Sequence, residues 1–174
     1  AGQLDCVFGL AERHDRRGDS RRHGPGEQGV AQLLRVCEGS EALGLRGRVA
    51  VSHAYALGEV SLLRAQQVGE RLARAGVAIM TNAPGDHPFP PVRALHALGV
   101  RIFSGNDNIR DCWWPYGNGD LLQRAMLVGY RSGFNTDEDL QLALDLVTDH
   151  AARVLGIEDY GLVAGNPASF VAVR

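Results

Sequence analysis

Short apolar runs alternate with helical segments along this chain, and that alternation constrains the fold more than any other feature. The runs span residues 48–53, 77–81 and 100–104, and they are rich in valine and isoleucine. Apolar residues recur at helical spacing in the segments before the first two runs, at 30–37 and 65–75. Strands that alternate with helices are typical of βαβ units. The sequence therefore predicts an α/β domain with a parallel sheet.

Two longer helices are predicted after the third strand. The second begins at Thr136, a favourable N-cap because three acidic residues follow it, and it runs to Gly156. The predicted apolar face of the first helix consists of Leu122, Ala125, Met126 and Gly129. That of the second consists of Leu140, Leu144, Val147 and Ala151. The tail over residues 161–173 predicts a turn and then a strand, and a strand in the Arg-rich opening would add a fourth βα unit.

Composition argues against several classes of protein. The formal net charge of -2 over 174 residues lacks the basic field of a nucleic-acid binder. No apolar run approaches the roughly 20 residues that a membrane helix needs, so we expect no membrane partner. Three cysteines without C-x-x-C spacing favour a reducing compartment, and we expect a cytoplasmic protein.

Two of the predicted strands end near residues that can transfer protons or bind a metal. His53 closes the first strand, and Asp107 follows the third. The carboxyl ends of parallel strands meet at one edge, where active sites lie. His53 can act as a general base or metal ligand, or it can simply be a buried residue bonded to a carbonyl. Asp107 can bind a metal and accept a proton, or it can form an Asx turn.

An aromatic cluster at residues 111–116 follows Asp107. Its two tryptophans and one tyrosine suit a planar substrate, although packing between loop and helix is the alternative for at least one tryptophan. His23, Glu27 and His87 are interpreted as polar loop residues. The chain lacks the P-loop, the dinucleotide-binding glycine motif and the serine-hydrolase elbow. Nucleotide hydrolysis and serine-hydrolase chemistry therefore have little support.

The strand-end motifs resemble those of the amidohydrolase superfamily, in its cytosine-deaminase-like branch. The segment 51–54, Val-Ser-His-Ala, is similar to the family's sixth barrel strand, and 104–108, Ser-Gly-Asn-Asp-Asn, to its eighth. The resemblance implies that His53 activates the hydrolytic water and polarises the substrate. It implies that Asp107 binds the metal and shuttles the proton. Trp113 matches a tryptophan near the substrate.

The resemblance also implies a fold and its limits. It covers the chain from about residue 10 to the end, as the carboxyl-terminal half of a (β/α)8 TIM barrel with strands about 5–8. A complete barrel needs about 250 residues, more than this chain has. Residues 1–156 would form the half-barrel. Residues 157–174 would return to a small flanking β-sandwich as its terminal strand.

The chain departs from the family pattern at three places. Arg21 and Gly24 occupy the positions of the fifth-strand H-x-x-E, which supplies a metal-binding histidine and a proton-transferring glutamate. The polar segment 15–22 stands where an apolar strand is expected, and a truncated or altered reading frame would explain both differences. Asn108 stands where cytosine deaminases often have a second aspartate on the ring, so we expect Asn108 to bind a substrate other than cytosine.

The resemblance therefore implies a metal-dependent hydrolase acting on non-peptide carbon–nitrogen bonds of a small cyclic amidine or amide. The intact enzyme would use a divalent metal, zinc or iron. Because only one expected metal ligand is present, we expect this chain alone to bind metal poorly and to be inactive. The alternative is a non-catalytic α/β interaction module derived from a half-barrel, whose open sheet edges would be covered by a partner or by self-association into a homo-oligomer.

Overall fold

The computed structural model describes residues 6–9, 26–85 and 87–172, which form a four-stranded parallel sheet with helices. The strands are β1 (Cys6–Gly9), β2 (Val49–Ser52), β3 (Val77–Met80) and β4 (Ile102–Phe103). They pair in the order β1-β2-β3-β4, and every pair is parallel. The predicted α/β class with its parallel sheet is therefore confirmed.

Seven helices lie in the described part of the chain. They are α1 (Glu27–Ala42), α2 (Ala56–Glu59), α3 (Leu62–Ala75), α4 (Val92–Ala97), α5 (Leu121–Ser132), α6 (Asp137–Val147) and α7 (Asp149–Leu155). The short helix α2 was not predicted. Glu27 is the first residue of α1 rather than a loop residue, and its carboxylate accepts a hydrogen bond from Arg64 Nε at 3.1 Å. None of these helices combines the length and apolarity needed to cross a bilayer.

Strands β2, β3 and β4 carry buried apolar residues, as expected of a parallel sheet that is covered by other elements. Alternate strand residues pack with α1, α3 and α4 into the main core, including Val49, Val51, Val77, Ile79 and Ile102. On the other face, Ala50 and Ala78 are buried with Val154 of α7. Fully burying a valine or isoleucine side chain stabilises the fold by about 1.5–3 kcal/mol. The core therefore fixes the register of β2, β3 and β4.

Helix α3 shows why these segments are helical. Its buried residues recur at helical spacing, as predicted: Ala65, Val68, Leu72 and Ala75. The Ser61 side chain accepts a hydrogen bond from the Arg64 amide at the amino end. Gly76 ends the helix with φ +65°, a left-handed conformation that glycine adopts without steric cost.

The predicted long helix from Thr136 to Gly156 is two helices. Its capped start is confirmed, because Thr136 and Asp139 form a reciprocal capping box. The helix breaks at Thr148, whose φ of -123° and ψ of -99° are not helical. The Thr148 hydroxyl donates to the Leu144 carbonyl at 2.8 Å, a local bond that competes with regular helical structure.

The predicted faces of α5 and α6 were partly wrong. In α5, Leu122 and Met126 are exposed, whereas Ala125, Val128 and Gly129 are buried. In α6, Leu140 and Leu144 are 59% and 37% exposed, whereas Ala143, Leu146 and Val147 are buried. A Cβ atom added at Gly129 would lie 3.5 Å from Ala143 Cβ. The two helices thus approach closely through their small residues, which turns several large side chains outward.

The predicted carboxyl-terminal strand is absent over the described residues 157–172, which form turns and irregular structure. Gly161 and Gly165 have φ values near +100°, and the Asn166 side chain donates to the carbonyl oxygen of Tyr160 at 3.1 Å. The apolar residues of this tail are exposed, with Leu162 and Val171 each 86% exposed. A strand needs a paired neighbour, and none lies beside this tail in the described structure.

Candidate active site

A cavity of about 1290 Å³ opens beside the carboxyl ends of β2, β3 and β4. Its lining includes all four predicted site residues: His53, Asp107, Asn108 and Trp113. A smaller cavity of about 250 Å³ is lined by His96 and His150, among others, and contains none of the four. We place the candidate active site in the large cavity, because the strand-end residues converge there.

The side chains of His53 and Asp107 lie next to each other on the wall of this cavity. Their Nε2 and Oδ2 atoms are 3.8 Å apart, and the two side chains are 20% and 31% exposed. The His53 backbone amide donates to the Met80 carbonyl at 2.7 Å, so β3 fixes the point at which β2 ends. His53 and Asp107 both have left-handed backbones, with φ of +69° and +63°. Such conformations cost about 1–3 kcal/mol each and cluster at functional sites.

Asn82 completes this group and was missed by the sequence analysis. It follows β3, is 7% exposed, and its Nδ2 donates to Asp107 Oδ2 at 3.1 Å. The available signal was its position, because Asn82 directly follows the predicted strand 77–81, at the same sheet edge as His53 and Asp107. Its side-chain amide is neutral, so it carries no signal for proton transfer.

Arg124, on the first turn of α5, is the second missed residue. Its Nη1 donates to the Asn82 carbonyl at 2.6 Å and its Nη2 to the Asn106 carbonyl at 3.3 Å. Its Nε is buried and has no hydrogen-bond partner in the described residues. Burial lowers the pKa of this guanidinium, and the Asp107 carboxylate acts in the opposite direction. A cation therefore lies behind the loops that carry Asn82 and Asp107.

The aromatic cluster is organised by Asp111. Its Oδ1 accepts hydrogen bonds from the amides of Trp113 and Trp114 at 2.9 and 3.0 Å, and its Oδ2 accepts one from Asn108 Nδ2 at 2.8 Å. The Asn108 bond, followed by the two backbone bonds, lowers the pKa of Asp111. Trp113 is 86% exposed, so it is not part of the core. Both tryptophans lie on the cavity wall.

His87 also lies on the cavity wall rather than in a solvated loop. Its ring stacks on Tyr55 with centroids 5.2 Å apart, and Tyr55 contacts the His53 ring at 4.9 Å. Arg131 of α5 donates two hydrogen bonds to the His87 carbonyl, at 3.2 and 3.3 Å. The Pro-rich loop between β3 and α4, described over residues 83–85 and 87–91, is thereby attached to α5 and lines the cavity on the side of His53.

The described residues alone do not complete a site for a resident metal ion. No group of three or more histidine, cysteine, aspartate or glutamate side chains in this part of the chain is placed to hold one. A zinc site usually takes three or four protein ligands, and His53 and Asp107 provide two. Asn82 directs a hydrogen-bond donor at Asp107 Oδ2, which favours a hydrogen-bonded carboxylate. Arg21 and Gly24, which occupy the positions of the fifth-strand H-x-x-E, lie outside the described residues, as does the polar segment 15–22.

The parallel sheet and its helices define an α/β protein, with an imidazole and a carboxylate at the strand ends, where such folds place their sites. This chain belongs to the amidohydrolase family, whose sequence profile matches residues 10–174. It is 34% identical to the N-isopropylammelide isopropyl amidohydrolase of Pseudomonas sp. (strain ADP), over 99% of this chain and 43% of that protein.

The chain is also similar to solved structures. The N-isopropylammelide isopropylaminohydrolase of Burkholderia multivorans is 41% identical, with a TM-score of 0.79 over 84% of this chain and 37% of that one. The 5-methylcytosine deaminase of Klebsiella pneumoniae, liganded with 5-fluorocytosine, is 27% identical, with a TM-score of 0.69 over 78% of this chain and 36% of that one. The chain therefore spans less than half the length of these relatives.

Proposed function

We propose that this chain is the carboxyl-terminal part of a metal-dependent hydrolase that cleaves carbon–nitrogen bonds of a small cyclic amidine or amide, in the manner of a deaminase. The main support is the pairing of His53 with Asp107 at the strand ends, inside a cavity large enough for a planar ring. Two similar proteins carry the names of isopropylammelide and 5-methylcytosine enzymes, which agrees with a ring substrate.

Each site residue has a proposed role. Asp107 takes a proton from the attacking water and delivers it to the leaving nitrogen, which general acid–base catalysis requires. His53 stabilises the negative charge that develops on the substrate oxygen. Asn108 and Trp113 contact the ring. The wall formed by His53, Tyr55 and His87 bounds the cavity on its other side.

We further propose that the sheet belongs to the carboxyl-terminal half of a TIM barrel, strands about 5–8, with β2 as the sixth strand, β4 as the eighth, and residues 157–174 returning to a β-sandwich. The parallel order of the four strands and the exposed apolar tail agree with this. Zinc or iron would be held by the intact enzyme, with Asp107 as one ligand. The described site offers two metal donors, His53 and Asp107, whereas a zinc site usually takes three or four protein ligands. This supports the expectation that the chain alone is inactive.

A chimera tests the proposal. In this chimera, residues 1–25 of the chain, which include Arg21 and Gly24, are replaced by the matching segment of the Pseudomonas isopropyl amidohydrolase together with all that precedes it there. The purified protein is loaded with zinc or iron. Release of ammonia or amine is then assayed with pyrimidines, triazines and hydantoin-like rings. We expect turnover by the chimera and none by the chain alone. A metal-loaded, folded chimera that turns over no ring, or a chain that is active by itself, would contradict the proposal.

Substitution at the site sharpens the test. In the chimera, Asp107→Asn should lower kcat by at least about 100-fold, since general acid–base catalysis contributes about that much or more. Asp149→Asn is a matched control, because Asp149 is half-exposed on α7 and forms an ion pair with Arg153 at 3.7 Å. Unchanged product release by Asp107→Asn would rule out the proton transfer assigned to that carboxylate.

One observation favours the interaction module as a second candidate. In the described sheet β1 and β4 each pair on one side only, so both present open edges that a partner or a second copy can cover. Sedimentation of the chain alone tests this candidate, which predicts a stable dimer or larger species.

Cys37 and Cys112 are free thiols, which agrees with the proposed cytoplasmic location.

A further inference from the structure

We infer that Arg124 is a positioning residue of the candidate active site: its guanidinium joins the loops after β3 and β4 and so holds Asn82 and Asp107 in register. This inference rests on the proposed function for its catalytic meaning. Its structural content, the coupling of the two loops through one side chain, can be tested separately in this chain.

The contacts of Arg124 are directed at two particular peptide units. The accepting carbonyls belong to Asn82 and Asn106, at 2.6 and 3.3 Å from the guanidinium nitrogens. Asn82 is followed by Ala83, with φ of +47°, and Asn106 is followed by Asp107, with φ of +63°, so both following residues have left-handed backbones. Arg124 therefore binds the residue immediately before each of two strained positions.

This placement explains how the strain is retained. A non-glycine residue stays in a left-handed conformation only when its surroundings over-determine it. A planar guanidinium presents several donors in a fixed fork, so it can fix two carbonyls relative to each other. The same two loops are joined a second time by the bond from Asn82 to Asp107. Two links between the loops fix the direction of the Asp107 carboxylate toward His53.

The competing explanation is that Arg124 only attaches a loop to α5, as any arginine of this helix could. Arg131 lies on the same helix and also donates two hydrogen bonds to a carbonyl, but both reach the single oxygen of His87. It also packs over the Phe89 ring, at 4.8 Å from the centroid. Arg131 thus attaches one loop without bridging two, and Arg131→Met is the matched control for Arg124→Met.

Hydrogen exchange and side-chain NMR of this chain test the coupling. The Asn108 amide donates to the Asn106 carbonyl at 2.8 Å, and Arg124 donates to the same carbonyl. Hydrogen bonds to charged groups are among the stronger ones, so loss of the Arg124 bond should loosen this loop. The Asn108 amide should therefore exchange at least about tenfold faster in Arg124→Met. The Asn82 side-chain amide resonances should shift toward those of free asparagine. Arg131→Met should leave both signals unchanged. Wild-type exchange and shifts in Arg124→Met would overturn the inference.

Arg124→Lys guards against a variant that fails to fold. Lysine keeps the charge, but its compact ammonium lacks the planar fork, so we expect exchange at Asn108 between the wild-type and Arg124→Met rates. If Arg124→Lys reproduces the wild-type exchange and Asn82 resonances, bridging by the guanidinium is not required and the inference is wrong.

Kinetics of the chimera test the catalytic meaning. Misplacement of a catalytic group by about 1 Å can cost about 100-fold, so Arg124→Met should lower kcat by about 10- to 100-fold with KM changed less than threefold. A KM effect with unchanged kcat would overturn the positioning role. An inactive parent chimera would contradict the proposed function instead, while the exchange experiment would still decide the coupling.

Discussion

Asn82 Nδ2 donates a hydrogen bond to Asp107 Oδ2 at 3.1 Å, across two loops that follow different strands. The amide occupies a position at which a third oxygen ligand for a metal could stand. His53, 3.8 Å from the same oxygen, adds a nitrogen donor. The site is therefore one substitution away from a three-donor set.

Replacing this donor by an acid should create metal affinity. In N82D a second carboxylate would face Asp107, and like-charge repulsion should destabilise the metal-free protein by about 1–3 kcal/mol. Zinc should restore the lost stability and bind at least about tenfold more tightly than to wild type. Isothermal titration calorimetry measures the affinity. N82A, which removes the amide without adding charge, is the control, and equal zinc affinity in all three proteins would contradict the prediction.

Gly58 allows α2 to approach the Pro-rich loop of the cavity wall. A Cβ atom there would lie 2.5 Å from the Phe89 nitrogen and 2.6 Å from its carbonyl oxygen. Gly58→Ala should therefore lower the free energy of unfolding by about 1–3 kcal/mol, the usual cost of overpacking. Urea unfolding measures this change.

Gly39 provides the matched control in α1. A Cβ atom at Gly39 meets nothing within 4 Å, and the residue lies inside the helix. Gly39→Ala should therefore raise the free energy of unfolding by about 0.5–1 kcal/mol. Equal effects of the two substitutions would show that the contact with Phe89 does not determine the cost at Gly58.

Cys37 and Cys112 should differ strongly in reactivity. Burial, partly offset by Arg71, raises the pKa of the Cys37 thiol to about 11, whereas Cys112 is exposed. Only the thiolate reacts, so at neutral pH alkylation of Cys37 should be at least about 100-fold slower than that of Cys112. Mass spectrometry of peptides after iodoacetamide treatment measures both rates. In guanidinium chloride the two rates should converge, and similar rates in the native protein would contradict the assigned burial.

Three of the four strands were predictable, because β2, β3 and β4 lie in short apolar runs that end at polar residues. β1 was expected only conditionally, as a strand in the opening segment. The same reasoning predicted that His53 and Asp107 would lie at one edge. It overlooked Asn82, although this residue follows β3 in the same way, because its amide is not ionisable. Arg124 could not be predicted, since its partners are backbone carbonyls distant in sequence, and no residue pattern specifies that contact.

The predicted buried faces of α5 and α6 were partly wrong for a different reason. Hydrophobic periodicity assumes that the largest apolar side chains face the core. Where α5 meets α6, Gly129 and Ala143 allow close approach, and Leu122 and Leu140 are turned outward. Small residues at a helix crossing carry little signal in such a pattern. The local bond of Thr148 that interrupts the predicted long helix is equally invisible to periodicity.

Protonation of His96 should lower the stability of the fold in mild acid. Its ring stacks on His150 with centroids 5.3 Å apart, and Arg101 and Arg153 line the same cavity. His96 is exposed on α4, and partial desolvation of its ring lowers its pKa, as does His150, whereas Asp145 raises it. The unfolded chain therefore binds the proton more readily, so the free energy of unfolding should fall as pH drops below about 6.5. At pH 8 the group is neutral in both states and contributes no pH dependence.

Urea unfolding at pH 8, 6.5 and 5.5 measures this effect in wild type and in His96→Gln. Glutamine keeps a polar side chain of similar length but does not titrate, so the variant should lose less stability than wild type between pH 6.5 and 5.5. Its free energy of unfolding at pH 8 serves as the internal reference, because the proton contributes nothing there. An equal loss in both proteins would mean that His96 binds its proton equally well in the folded and unfolded chain.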